Sequence, residues 1–232
     1  LEAQMEDFFA DLSRKRSVVA VANTINPQKL LNYPGQTGRY DPHVWMDPLL
    51  WTLVTDQIAL ALAKEKPEKE DQFQKTAAHY KSKLIQLNEY AKTVLDTVPN
   101  KSRVLITAHD AFGYFGKTYG FDVIGVQGIS TNSEAGLYRI KEIVDLLVER
   151  EISAVFVESS VSDRNMRALI EGANARGHKV SLGGELYSDA MGIEGTYEGT
   201  YVGMLDHNIT TIAKALGGNP PDLGWQGKLK AT

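Results

Sequence analysis

Three short segments of this chain join metal-ligating side chains to a constrained backbone. In Asp41-Pro42-His43-Val44-Trp45-Met46-Asp47-Pro48 a histidine stands between two Asp-Pro pairs just ahead of a predicted helix. Prolines on both sides restrict the backbone and so restrict where the imidazole points, a preorganisation that suits a ligand. Read alone, His43 fits a loop or capping histidine better than a ligand. In Thr107-Ala108-His109-Asp110-Ala111-Phe112-Gly113-Tyr114-Phe115 a second histidine leaves the carboxyl end of a predicted strand, the edge where α/β sheets gather ligands. Asp110 caps the helix that follows or orients an imidazole, and the sequence leaves both open. In Gly183-Gly184-Glu185-Leu186-Tyr187-Ser188-Asp189-Ala190-Met191-Gly192, a loop after another strand, Asp189 presents its carboxylate inward or is an ordinary loop aspartate. Glu158 ends a strand of buried character in Phe156-Val157-Glu158-Ser159-Ser160, where pairing with Arg164 or a nearby backbone group is favoured over ligation. His79, His178 and His207 read as surface or packing residues. The sequence contains no cysteine, so a transition metal must be held by imidazole and carboxylate. Two imidazoles and a carboxylate suit Zn²⁺, Mn²⁺ or Fe²⁺ and are too rich in nitrogen for a dedicated Ca²⁺ or Mg²⁺ cage.

The elements that must deliver these residues alternate between helical periodicity and short β-rich runs, the pattern of an α/β fold with mostly parallel strands. Residues 1–14 are amphipathic, with Leu1, Met5, Phe8, Phe9 and Leu12 at helical spacing, and the apolar, Val-rich residues 17–25 read as a strand. Pro27, Pro34, Gly35 and Gly38 make 26–41 a loop. A helix over 47–64 follows, with Asp47 as N-cap and Pro48 in its first turn. Residues 70–97 lack Gly and Pro, and Phe73, Tyr80, Leu84, Leu87, Tyr90, Val94 and Leu95 recur at helical steps. One helix there spans ~40 Å, a strut between two lobes or a long helix packed along one domain. Beyond Pro99, strands over 103–108, 122–127, 154–158 and 179–182 alternate with helices over 111–119, 133–150, 164–176 and 200–216. The expected organisation is therefore the remainder of an N-terminal α/β lobe over 1–68, a linking helix over 69–98 and a C-terminal α/β lobe over 99–232. With one clear strand, too few for a sheet, the N-terminal lobe is expected to be incomplete.

With 232 residues, 43% of them hydrophobic, the chain can bury one large core or two modest ones. A formal charge of −4 with interspersed signs gives no electrostatic reason to expect nucleic acid or an anionic membrane as partner. No window approaches the ~18 to 20 unbroken apolar residues of a membrane-spanning helix. Leu1 is not an initiator Met, and no basic region followed by an apolar run opens the sequence; any leader or lipid anchor is expected upstream of Leu1.

Taken in order, Asp-Pro-His43-Val-Trp, Thr-Ala-His109-Asp-Ala-Phe-Gly-Tyr-Phe, Phe-Val-Glu158-Ser-Ser, Gly-Gly-Glu-Leu-Tyr-Ser-Asp189-Ala-Met-Gly and Gly-Thr-Tyr201-Val-Gly-Met resemble the zinc- and manganese-binding solute-binding proteins of ABC importers, in their TroA-like branch. The resemblance runs from Leu1 to about residue 216. It implies two α/β lobes joined by one long backbone helix, a metal held in the cleft between them, and delivery to a permease on the periplasmic or extracellular face of the cytoplasmic membrane, without catalytic turnover. Carried over residue by residue, His43 is the ligand of the N-terminal lobe and His109 and Asp189 are those of the C-terminal lobe. The family's first ligand, another histidine, lies upstream of Leu1, which leaves three protein ligands and an open position. In this family a Glu at the His109 position goes with manganese, and a long His- and acid-rich loop before the His43 motif goes with dedicated zinc uptake. This sequence has neither, and His109 leans towards zinc.

Two other readings compete. Open three-ligand zinc is the geometry of catalytic sites, so a metal-dependent hydrolase using His43, His109 and Asp189 with Glu158 or Glu185 as general base is the alternative, although no HExxH signature is present. A surface adhesion protein without metal function is the other. The apolar face of residues 1–12 and an uncovered sheet edge are further expected to favour dimerisation or strand exchange.

Overall fold

The computed structural model describes residues 5–131 and 135–230. The chain divides into two compact units, Leu1–Ile85 and Gln86–Thr232.

The first unit is helical among its described residues. Helix α1 (Glu6–Ser13) exposes Met5 beside it and its own Phe8 and Phe9; Leu1, which opens the expected apolar face, lies outside the described residues. The strand expected over 17–25 does not form. A short 3₁₀ turn, Val21–Thr24, takes its place, and Val18 and Val19 stay exposed. A Val-rich run becomes a strand only where another backbone pairs with it, and the sole β contact among the described residues of this unit is the isolated antiparallel bridge between Asn32 and Tyr40. That bridge orders the expected loop. Gly35 and Gly38, at φ 75° and 78°, turn the chain, and the Asp41 N–H donates to Leu31 O at 2.9 Å, so the loop hands Asp41, Pro42 and His43 to the next helix in a fixed conformation.

Helix α2 (Pro48–Glu65) starts as the sequence predicts. Asp47 Oδ1 accepts the N–H groups of Leu49 and Leu50 at 2.7 and 3.3 Å, a cap that contributes about 1 kcal/mol, and Pro48 fills the first helical position. Helix α3 (Glu70–Leu95) is the expected long helix; its 26 residues give a length of about 39 Å, and the division between the units falls within it. Lys81 on α3 pairs with Asp56 on α2 at 2.7 Å.

The second unit carries a four-stranded, wholly parallel sheet. Strands β1 (Val104–Thr107), β2 (Asp122–Gly125), β3 (Ala154–Glu158) and β4 (Ser181–Leu186) lie in the order β2-β1-β3-β4. Helices α4 (Gly113–Tyr119), α5 (Leu137–Glu149), α6 (Arg164–Ala175) and α7 (Tyr201–Ala215) connect and follow them. On one face Val104, Ile106 and Val155 pack with Ile143, Val144 and Leu147 of α5 and Met166, Leu169 and Ala173 of α6. The period of two sends Leu105, Phe156 and Glu158 to the other face, on the side of α7. The α5 start expected at Ser133 falls outside the described residues.

One boundary needs correction. The strand expected over 179–182 runs as Ser181–Leu186 and takes in Gly183, Gly184 and Glu185, read from sequence as loop. The glycines belong there for lack of room. A Cβ at 183 would stand 2.7 Å from the Phe156 ring, and one at 184, where φ is 140°, would stand 2.5 Å from the Thr211 methyl. A register shift between Val155 and Phe156 accommodates them.

Candidate metal centre

In a sheet of this order the connection after β1 runs to β2 and the connection after β3 runs to β4, in opposite directions along the sheet, so the crevice at the carboxyl ends of β1 and β3 is the topological switch point. His109 follows β1 and Glu158 ends β3, one on each side of that crevice. The backbone of His109 is fixed from both directions: its N–H donates to Glu158 Oε1 at 2.8 Å, and its carbonyl accepts from the Thr107 hydroxyl at 2.8 Å. Its ring Nδ1 lies 2.6 Å from Glu158 Oε2. One buried carboxylate thus sets both the main chain and the ring of His109. Pairing of Glu158 with Arg164, a role weighed from sequence, gives way to this grip. Gly125 at the end of β2 permits the approach of the following turn, since a Cβ there would stand 2.5 Å from the Asp110 nitrogen. Phe112, and not Asp110, is the N-cap residue of α4.

The other ring nitrogen, Nε2, lies 3.5 Å from Asp189 Oδ2. Asp189 sits in the loop between β4 and α7, and its side chain is 20% exposed while that of His109 is wholly buried. Burial alone lowers the pKa of His109; hydrogen bonds to Asp189 and Glu158 and their negative charges outweigh it and raise the pKa from 6.5 to about 9.

In the first unit His43 repeats this arrangement with a local partner. Asp41 Oδ1 accepts the His43 N–H at 2.9 Å and lies 2.6 Å from ring Nδ1, with both residues buried. The Trp45 ring stands edge-on to the imidazole, 5.2 Å between centroids. Asp41 is a ring and backbone partner of His43 that the motif analysis does not assign. Its signal was present, since an aspartate two residues before a histidine can bond the backbone in an Asx turn and reach the ring as well. Each histidine therefore has its Nδ1 tied to a buried carboxylate, the arrangement that fixes the tautomer and leaves Nε2 as the coordinating nitrogen in metal sites.

The remaining histidines behave as expected. His178 Nε2 lies 2.7 Å from Ile152 O, His207 Nε2 lies 2.9 Å from Glu185 O, and His79 is exposed on α3. The loop bearing Asp189 is held from α7: Asn208 accepts the Tyr187 N–H at 2.9 Å and donates to the Tyr187 carbonyl at 2.7 Å, and Ser188 Oγ is 3.1 Å from Ser160 Oγ.

A parallel α/β unit with a carboxylate-backed histidine at its switch point, facing an aspartate on an adjoining loop, brings together donors of the kind that hold a transition metal, and the known proteins it resembles place the chain among the solute-binding proteins for metal uptake. The chain belongs to the family described as zinc-uptake complex component A, periplasmic, whose model matches residues 1–215. It is 49% identical over 216 residues to the manganese-binding lipoprotein MntA of Bacillus subtilis, covering 93% of this chain and 70% of that protein. It is 44% identical over 216 residues to the zinc-binding protein TroA of Treponema pallidum, again 93% of this chain and 70% of the relative. The solved structure of that periplasmic TroA superposes with a TM-score of 0.90, covering 93% of this chain and 77% of that one. The family is one of extracytoplasmic receptors for metal uptake and not of enzymes, and these relatives give no support to the hydrolase alternative.

Proposed function

We propose that this chain captures a divalent transition metal outside the cytoplasm through His43, His109 and Asp189 and delivers it to an ABC permease. The observation that carries this reading is the pair of histidines whose Nδ1 atoms each lie 2.6 Å from a buried carboxylate, Asp41 for His43 and Glu158 for His109. Carboxylate backing of this kind raises ligand basicity and presents Nε2. Asp189 adds the anionic oxygen. Two nitrogens and one oxygen accept zinc and manganese alike, and the ordinary affinity order places zinc ahead. The zinc-binding TroA and the manganese-binding MntA are both near relatives, in keeping with a site that admits either ion. Loading the purified chain with zinc and with manganese in parallel, then measuring bound metal after desalting, tests the reading. Near-stoichiometric zinc with weaker retention of manganese is the expected result, and no retention of either ion overturns it.

Metal must displace the His109 proton. In the metal-free protein a pKa raised above 6.5 means that protonation favours the fold; that contribution is complete below about pH 6.5 and is lost as pH rises through about 9. Capture between those values therefore releases the proton. Apparent zinc affinity is expected to rise about tenfold per pH unit from pH 7 to 8.5 and to level off above about 9. Calorimetry in buffers of different ionisation enthalpy reads the released proton directly, and a flat affinity profile across this range would count against the assignment.

A further inference from the structure

The carboxylate of Asp206 on α7 is fully buried and takes no part in the site described above. Several donors converge on it, among them Tyr90 of α3. The Tyr197 hydroxyl donates to Oδ2 at 3.0 Å, the Trp225 N–H reaches both oxygens at 2.8 and 2.9 Å, and Thr210 Oγ1 lies 3.4 Å from Oδ1. Tyr197 belongs to the loop that carries Asp189, and Trp225 belongs to the segment that follows α7. The Trp225 ring lies on Tyr90 at 6.3 Å between centroids, and Lys228 Nζ sits 5.8 and 5.9 Å from the Tyr197 and Trp225 rings. The backbone of this segment comes so close only because residue 224 is glycine; a Cβ there would stand 2.7 and 2.8 Å from the Asp206 oxygens.

The Asp189 loop is internally stiff. Gly192 N–H donates to Glu198 O at 2.9 Å, a Cβ at 199 would collide with Ile193 O, and a Cβ at Gly203 of α7 would collide with Tyr197 O. Asn208 grips its entry at Tyr187, and Asp206 grips its exit at Tyr197. A loop so folded and so held at both ends places Asp189 as part of one rigid piece. Packing alone would be served by an apolar side chain at 206, because a buried carboxylate is costly unless its bonds serve a specific arrangement.

We propose that Asp206 is a positioning residue for metal capture, clasping the Asp189 loop to α7 through Tyr197 and fastening the C-terminal segment to the same carboxylate through Trp225. The proposal rests on the capture reading above and adds a residue that does not touch the ion. Tyr197→Phe removes one hydroxyl and is the first test; Asp206→Asn keeps the shape and weakens the bonds that converge on the carboxylate. Each is compared with the unaltered chain for zinc affinity by chelator competition, for the visible spectrum of bound Co²⁺, and for thermal unfolding without metal. Tyr197→Phe is expected to weaken zinc about tenfold and to shift the Co²⁺ bands, while its metal-free unfolding midpoint moves by no more than about 4 °C. A role confined to stability moves the midpoint and leaves the Co²⁺ spectrum of the folded protein alone. Unaltered affinity and spectrum in Tyr197→Phe overturn the clasp, with or without a folded Asp206→Asn. Failure of the unaltered chain to bind zinc overturns the capture reading, and the clasp with it.

Discussion

His109→Ala is expected to lower zinc affinity by more than about 100-fold, beyond the range seen when only an outer partner of a ligand is lost. The imidazole is the meeting point of the site in the second unit: Nδ1 is bound to Glu158, Nε2 faces Asp189, and the main chain is tied to β3. Alanine keeps the backbone N–H that donates to Glu158, so the main-chain tie to β3 survives, while Glu158 Oε2 loses its ring partner and the fold loses some stability. The variant should remain folded. Without metal it should lose the pH-dependent stability that the raised His109 pKa supplies, so its unfolding midpoint should vary less between pH 6.5 and 9 than that of the parent. Chelator competition with zinc, run beside thermal unfolding, separates the two effects. Affinity within tenfold of the parent in a folded variant would remove His109 from the ligand set.

Glu158→Gln comes next, with an expected loss of about 10- to 100-fold in affinity. The amide oxygen can still accept the His109 N–H, but its NH₂ group is a donor where the carboxylate was an acceptor. A donor facing Nδ1 forces the ring proton onto Nε2, the nitrogen meant for the metal. The substitution is nearly isosteric and acts through the tautomer, with the ring left in place. Removing the Glu158 charge also lowers the His109 pKa, so the pH profile of zinc binding should shift to lower pH even as its plateau falls. A wild-type plateau would show that Glu158 only anchors the strand end.

What the sequence disclosed follows the range of the interactions involved. The N-cap at Asp47, the long helix α3 and the alternation of strand and helix beyond Pro99 depend on neighbours a few residues apart, and each was legible. His109 could be placed at the end of a strand because β1 is a short apolar run followed by a helix. Its acceptor could not be identified, since Glu158 reaches it only through the β1 to β3 pairing. The same limit explains the failed strand over 17–25, where composition favoured a conformation that needs a partner, and the glycines of β4, whose reason is the proximity of Phe156 and Thr211. Asp41 is the exception. Its contact with His43 is local and could have been read from the Asp-Pro-His spacing.

The loop between β4 and α7 separates what is fixed from what can vary. Gly192, Gly199 and Gly203 face backbone or side-chain atoms that leave no space for a Cβ, whereas Met191, Ile193 and Glu194 are exposed. Substitutions at the outward positions change the exposed surface without disturbing the frame beneath. The exposed residues and the packed frame that carries Asp189 are therefore under different constraints and are free to change at different speeds.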